Sequence, residues 1–378
     1  MEQTRVIIVG AGPSGLATSA CLNTHGIPNI VLEREDCCAS LWKKKAYDRL
    51  KLHLAKEFCN LPHMPFPTHA PTYVPKDQFI SYIDEYASFF HIKPNYCRSV
   101  ESASYDVNTK KWRVTVKNTV SSATEVYIAE FLVVATGENS KGFIPAFPGL
   151  DDFSGESIHS SEYKSGSKYQ GKDVLVVGSG NSGMEIAYDL SNYGARTSIV
   201  IKSPVHVLST EMVRLGMRLL KYFPVHWVDK LILKIANYCY GDLSSLGLTR
   251  PTKGPFYLKT ATGRSPVLDV GTSHKIAKGE IRVLPAVSSI AENSVRFADG
   301  ESREFDAIIF ATGYRSTCNY WLKDYDFLLN NEGMPKGKFP NHWKGSNGLY
   351  CVGFARRGLA GVSMDAQAVA NDIKNLIK

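Results

Sequence analysis

Apolar and polar positions along this chain fall into short blocks that repeat. Arg5 is followed by the β-branched run Val6-Ile-Ile-Val9, which leads straight into Gly10-Ala-Gly-Pro-Ser-Gly15. Far downstream, Asp173-Val-Leu-Val-Val177 leads into Gly178-Ser-Gly-Asn-Ser-Gly183. Each glycine loop opens a helical pattern, closed by His25-Gly26 in one case and Tyr193-Gly194 in the other. A second apolar run follows each helix, Ile30–Leu32 and Ile199–Ile201. Strand, glycine turn, helix and strand in that order predict two βαβ units rather than a tandem solenoid.

Further strands fit around these units. Lys111–Val116 and Glu125–Ile128 read as an antiparallel hairpin, and Phe131–Val134 as a separate strand ending in Ala135-Thr-Gly137. Ala307–Phe310 ends in the near-identical Ala311-Thr-Gly313, so each half has a strand terminating at its own loop site. Pro145, Pro148 and Gly149 mark a connection between the halves. The expected fold is α/β with two Rossmann-like dinucleotide-binding domains. The first spans 1–160 and resumes at 290–378; the second, over 161–289, is inserted between them and carries its own insertion at about 203–259.

Bulk properties narrow the function classes without choosing one. A chain of 378 residues with 44% hydrophobic residues can fill two cores, and 21% charged residues with no low-complexity run excludes extensive disorder. The formal charge of +8 is scattered and accompanies no nucleic-acid-reading motif, so it is read as a field that attracts anionic cofactors and an anionic substrate. The eight cysteines show no CxxC pair and no metal-ligand spacing, as expected of reduced thiols in a cytoplasmic protein with no metal. No secretory leader is expected before the first strand. The most apolar helical stretch, Met217–Tyr240, is interrupted by Lys221, Pro224, Asp229, Lys230 and Lys234. It reads as an amphipathic helix packed on the protein, not a membrane span, with membrane contact as the lesser alternative.

The chemistry begins at the glycines. Without side chains, Gly10, Gly12 and Gly15, and likewise Gly178, Gly180 and Gly183, let the backbone approach a pyrophosphate at a helix N-terminus. A tight turn is the plain alternative for either loop, but the strand-to-helix context favours nucleotide binding. The two copies then diverge. Glu33, 18 residues beyond Gly15, places a carboxylate where the ribose hydroxyls of FAD can donate to it. The same offset from Gly183 falls on Ile201, followed by Lys202 and Ser203. With no carboxylate to repel a 2′-phosphate and a cation beside it, this site favours NADPH. A solvated strand-end lysine is the bland alternative for Lys202.

Between the units, Phe153, Gly155, His159 and Tyr163 fit FxGxxxHxxxY, the motif of class B flavin-dependent monooxygenases. Alone, His159 could be an ordinary packed histidine. Over nearly its whole length the chain resembles the plant YUCCA family of flavin monooxygenases. The resemblance is carried by Val31–Arg34, Ala39–Trp42, Tyr47–His53, Met64–Pro67, Pro71–Tyr73, Leu268–Gly271, Phe310–Tyr314, Val352–Phe354, Arg356–Leu359 and Asp365-Ala366.

That resemblance implies conversion of indole-3-pyruvate with NADPH and O₂ to the auxin indole-3-acetate, with release of CO₂, the flavin 4a carbon being where oxygen is activated. It implies FAD contacts from Arg34, Ser40, Leu41, Trp42, Gly137, Gly353 and Leu359. Asn181, Thr312 and Gly313 would join the NADPH site. His53 and His159 stand as catalytic candidates, His159 with a cofactor-positioning rather than a general-base role. His53 occupies a place where many flavin monooxygenases carry Asn, and Lys202-Ser203 replaces the usual Arg-Ser, keeping the charge without the bidentate fork. The insertion is the expected lid, with Arg250 and Lys259 as candidate partners for the substrate carboxylate; a solvated role is the alternative for each. Rival readings are an N- or S-oxygenating relative, a disulfide reductase, for which the adjacent Cys37 and Cys38 are unsuited, and a non-catalytic FAD-binding scaffold, which would not need the second loop.

Overall fold

The computed structural model describes residues 2–323 and 325–377. The chain divides into two compact units: 1–45, 55–141 and 314–378 in one, and 46–54 with 142–313 in the other.

In the first unit, Glu2–Val9 lies between Asn29–Leu32 and Thr124–Val134, parallel to both. Thr124–Val134 is one strand of 11 residues, not the two expected. Ala129 is buried and Glu130 exposed, so the strand continues through the expected break and enters the core at Phe131–Val134, which are all buried. Beside its first half, Lys111–Asn118 pairs antiparallel; beside its second half, Leu349–Cys351 pairs parallel. Arg98–Asp106 extends the sheet as the far edge. The helix Pro13–Thr24 is buried on every side from Ser14 to Leu22. It packs against the closing helix Gly358–Ile377, which explains an apolar pattern without a polar face.

The second unit is a five-stranded, all-parallel sheet in the order Ile281–Leu284, Arg196–Val200, Asp173–Val177, Ala307–Phe310, Glu156–His159. Covered on both faces, its central strands read as continuous apolar runs rather than alternating ones. The unit is wider than the expected 161–289. Glu156–His159 and Ala307–Phe310 belong to the same hydrogen-bonded sheet, so neither can be assigned to the first unit.

The insertion folds on a small core of its own. The stretch expected as one helix is two, Thr210–Leu219 and Val225–Tyr240, separated where Pro224 cannot continue the first. With Pro255–Thr262 they enclose Met212, Val213, Val228, Ile232, Ala236 and Phe256. Buried Asp229 caps the third helix, its carboxylate accepting from the N–H of Phe256 at 2.8 Å and of Tyr257 at 3.0 Å. No described helix is long and apolar enough to cross a membrane.

Candidate functional site

The two glycine loops have the same construction. Gly10 (φ +108°) and Gly178 (φ +116°) both occupy backbone conformations that strain other residues. A Cβ on Gly10 would sit 2.7 Å from the Ala135 carbonyl oxygen, and one on Gly178 would collide with the Ala311 carbonyl. Thus the Ala-Thr-Gly ends of Thr124–Val134 and Ala307–Phe310 press against their own loops. Gly15 and Gly183 likewise have no room for a side chain against Gly10 and Gly178. Gly12 and Gly180 differ: a Cβ there meets nothing within 4 Å. Each precedes a helix with no side-chain cap, so backbone N–H donors face open space, the arrangement an anion requires.

A cavity of about 420 Å³ in the first unit joins most of the residues expected to hold FAD. Its wall includes Gly10, Gly12, Glu33, Arg34, Ser40, Leu41, Trp42, Gly137, Gly353 and Leu359, whereas Gly15 lies beneath the loop. Glu33 is buried, and its carboxylate accepts from Ala11 N–H at 2.6 Å and Glu35 N–H at 3.0 Å. Burial pushes this carboxyl above the ordinary range, while the two donors pull it back. Glu33 therefore pins the glycine loop itself and retains lone pairs toward the cavity. Trp42 packs edge-on against Phe79, ring centroids 4.4 Å apart, which holds its face of the wall. Gly353 (φ +87°) donates its N–H to Asp365 at 3.2 Å; the same carboxylate oxygen accepts from His342 Nε2, also at 3.2 Å. Lys44, Lys45, Arg98 and Arg356, all on the cavity wall, were not anticipated as site residues. The run Lys43-Lys-Lys45 just after Trp42 is a sequence signal for the two lysines, and Arg356 stands in a stretch that carries the family resemblance.

In the second unit the four motif residues act as a brace. Phe153 packs on the apolar cluster around Phe310, and Gly155 fits where a Cβ would approach the Asp306 carbonyl to 2.6 Å. His159 is buried; its Nδ1 accepts from Ser161 N–H at 3.1 Å and its Nε2 donates to the Gly313 carbonyl at 3.0 Å. Burial lowers its pKa, so the neutral Nε2–H form is favoured. Both ring nitrogens are thus engaged within this unit. Tyr163 donates to buried Asp189 at 2.6 Å, on the helix Asn181–Asn192 that the second loop opens.

The segment 46–54 grips that same helix. Buried Glu185 accepts from Tyr47 OH at 3.0 Å and from His53 Nε2 at 2.8 Å. Arg49 lies 4.5 Å over the Tyr188 ring. Asn181 is not turned to the loop's open side; its Oδ1 accepts from Leu268 N–H at 2.8 Å. Lys202 and Ser203 are exposed beyond the end of Arg196–Val200, and Thr312 donates to the Phe143 carbonyl beside Gly313. Arg250 donates to the Gly241 carbonyl at 3.3 Å, and Lys259 to Ser265 at 2.9 Å. These two cations serve as local struts of the insertion and do not line the cavity of the first unit.

All eight cysteines are free. Burial pushes Cys37 up to about 11 and Cys38 upward too, the reverse of what an exchanging thiol pair needs. Among the described residues no group of three or more His, Cys, Asp or Glu is disposed to hold a metal.

Two glycine-loop units, one interrupting the other in sequence, define a two-dinucleotide oxidoreductase fold. The flavin-containing monooxygenase from Stenotrophomonas maltophilia shares it with a TM-score of 0.75 over 100% of both chains, at 19% identity. The chain belongs to the flavin-binding monooxygenase-like family, whose model matches residues 3–368, and to the YUCCA branch of it. It is 55% identical to the probable indole-3-pyruvate monooxygenase YUCCA10 of Arabidopsis thaliana, over 99% of this chain and 98% of that protein. The indole-3-pyruvate monooxygenase YUCCA1 of Oryza sativa subsp. japonica is 50% identical over 97% of this chain and 90% of its own length.

Proposed function

We propose that the chain converts indole-3-pyruvate, NADPH, H⁺ and O₂ into indole-3-acetate, CO₂, NADP⁺ and water. The observation that carries this reading is 55% identity along 99% of the chain to a protein named for that reaction, with both glycine loops intact.

The cavity of the first unit fits FAD. An open-sided glycine loop, a buried carboxylate and several cations suit a pyrophosphate bonded to a ribose. Glu33 would receive ribose hydroxyls on its remaining lone pairs, while Gly10, Gly12 and the neighbouring helix N-terminus receive the pyrophosphate, with Gly15 giving the loop room from beneath. Arg34, Ser40, Leu41, Trp42, Gly137, Gly353 and Leu359 would complete the enclosure. FAD bound there supplies hydride acceptance and activation of O₂, chemistry no side chain provides. The loop at Gly178, Gly180 and Gly183 would hold NADPH, with Lys202 and Ser203 receiving the 2′-phosphate. Thr312 and Gly313 border that site, and Asn181 ties the loop to Leu268.

His159 keeps the Gly313 carbonyl in place and stays neutral, a positioning role. Glu185 accepts from His53 Nε2 and so fixes the orientation of that ring. Eight reduced thiols support a cytoplasmic setting.

Turnover of indole-3-pyruvate under ¹⁸O₂ tests the reading. One ¹⁸O in the carboxylate of indole-3-acetate and one CO₂ per NADPH are expected. Efficient oxygenation of an amine or sulfide with the keto acid inert would assign the chain to the N- or S-oxygenating class instead.

A further inference from the structure

The insertion carries an exposed apolar surface separate from its own core. On the helix Val225–Tyr240 the buried residues Val228, Ile232 and Ala236 face the insertion's own core. Trp227, Leu231 and Tyr238 form a second stripe, roughly 100° round the helix by its 3.6-residue turn, and are 65%, 44% and 92% exposed. The preceding connection adds Tyr222 and Phe223, 80% and 51% exposed. Isolated exposed apolar residues are ordinary, but a contiguous set with two aromatics at one helix entry marks a contact surface.

Charge decides what the surface contacts. Lys230 and Lys234 flank the stripe on its solvent side, and every exposed charge from Met212 to Tyr240 is a cation, with exposed Glu211 and Asp242 at the borders of that span. The single acid in that span, Asp229, is buried and occupied in capping the next helix. A second copy of the chain would bring like charges together. Trp and Tyr beside lysines, whose long stems reach outward, match the interfacial zone of a bilayer. We infer that this face of the insertion docks peripherally on a membrane bearing anionic lipid headgroups, with Phe223 and Trp227 entering the headgroup region and Lys230 and Lys234 meeting the lipid charge. The inference is independent of the substrate.

Vesicle flotation of the FAD-loaded full chain tests it. The protein should float with phosphatidylcholine vesicles containing about one-third phosphatidylserine, and about tenfold less with pure phosphatidylcholine or in high salt. Phe223→Ser with Trp227→Ser, and separately Lys230→Glu with Lys234→Glu, should each lower flotation about tenfold with melting temperature and bound flavin retained. Trp227→Phe should remove the lipid-induced blue shift of tryptophan emission. No flotation of the parent protein, or flotation undiminished in both pairs, overturns the inference. So does conversion of a lipid-free dimer to monomer by the first pair, which would make the face a contact between copies. A polyglutamate peptide that shifts Trp227 emission without lipid would likewise overturn it in favour of an acidic protein partner.

Discussion

The two units start from one local design and part at the end of its second strand. Both press a positive-φ glycine against an Ala-Thr-Gly strand end, and both leave the middle glycine open. In the first, Glu33 folds back to accept from Ala11 N–H, so the carboxylate that would meet a ribose also holds the loop. In the second, the corresponding Ile201 is half-buried on the core, and the charge beside it, Lys202, is exposed. That unit secures its helix differently, through Tyr163 on Asp189 and through Tyr47 and His53 on Glu185. Loops of the same construction are therefore distinguished by the residue that ends the following strand and by how the helix behind them is anchored.

The largest effect should come from the crowded glycines. Gly15→Ala should leave almost no bound flavin and destabilise the protein by about 1–3 kcal/mol, the usual range for overpacking. Gly183→Ala should keep the flavin but abolish its bleaching by NADPH. Equal loss of flavin in both variants would erase the assignment of one nucleotide to each loop. Next, Glu33→Ala removes a buried acceptor from two N–H groups, and unsatisfied donors of this kind cost about 1–3 kcal/mol each. Flavin affinity should fall about 10- to 100-fold, read by titration of the apoprotein.

Lys202→Ala should raise the NADPH KM about tenfold and leave the NADH KM within about twofold, since one charge-assisted contact is worth about 1.5–3 kcal/mol. Equal changes for both nucleotides would remove Lys202 from the 2′-phosphate.

A smaller effect concerns pH. Burial lowers the pKa of His159 and of His206, so both favour the neutral form in the folded state. Their stabilising contribution is present above the unfolded value near 6.5 and is lost as pH falls toward and through the folded value. The melting temperature should therefore drop between about pH 7 and pH 5, less steeply in His159→Gln with His206→Gln. Parallel slopes would show that other groups dominate. Smallest of all, Arg250→Ala and Lys259→Ala should change the keto-acid KM by less than about twofold, because both side chains are engaged locally. A tenfold rise for either would return the substrate carboxylate to it.

Much of this was legible in one dimension because it depends on contacts close in sequence. A strand, a glycine turn and a helix need only a β-branched run, residues that accept positive φ, and a helical period, so both loop helices are recognisable from sequence. The charge contrast between Glu33 and Lys202 is equally local. The merging of 125–128 with 131–134 depended on a sheet partner on each side of Thr124–Val134, which no local pattern reports. The joining of Glu156–His159 to Ala307–Phe310 spans about 150 residues, and it decided where the second unit begins and ends. Segment 46–54 has no periodic signal, and tertiary contacts such as its hydrogen bonds to Glu185 and the packing of Arg49 on Tyr188 place it with that unit. The Phe153–Tyr163 motif identified the class, but its spacing could not reveal that His159 has both nitrogens occupied and Tyr163 holds a buried carboxylate. Local conformational preference and charge order are properties of the sequence itself. Burial, tautomer and long-range pairing arise only when distant segments exclude water together, and those the tertiary structure decided.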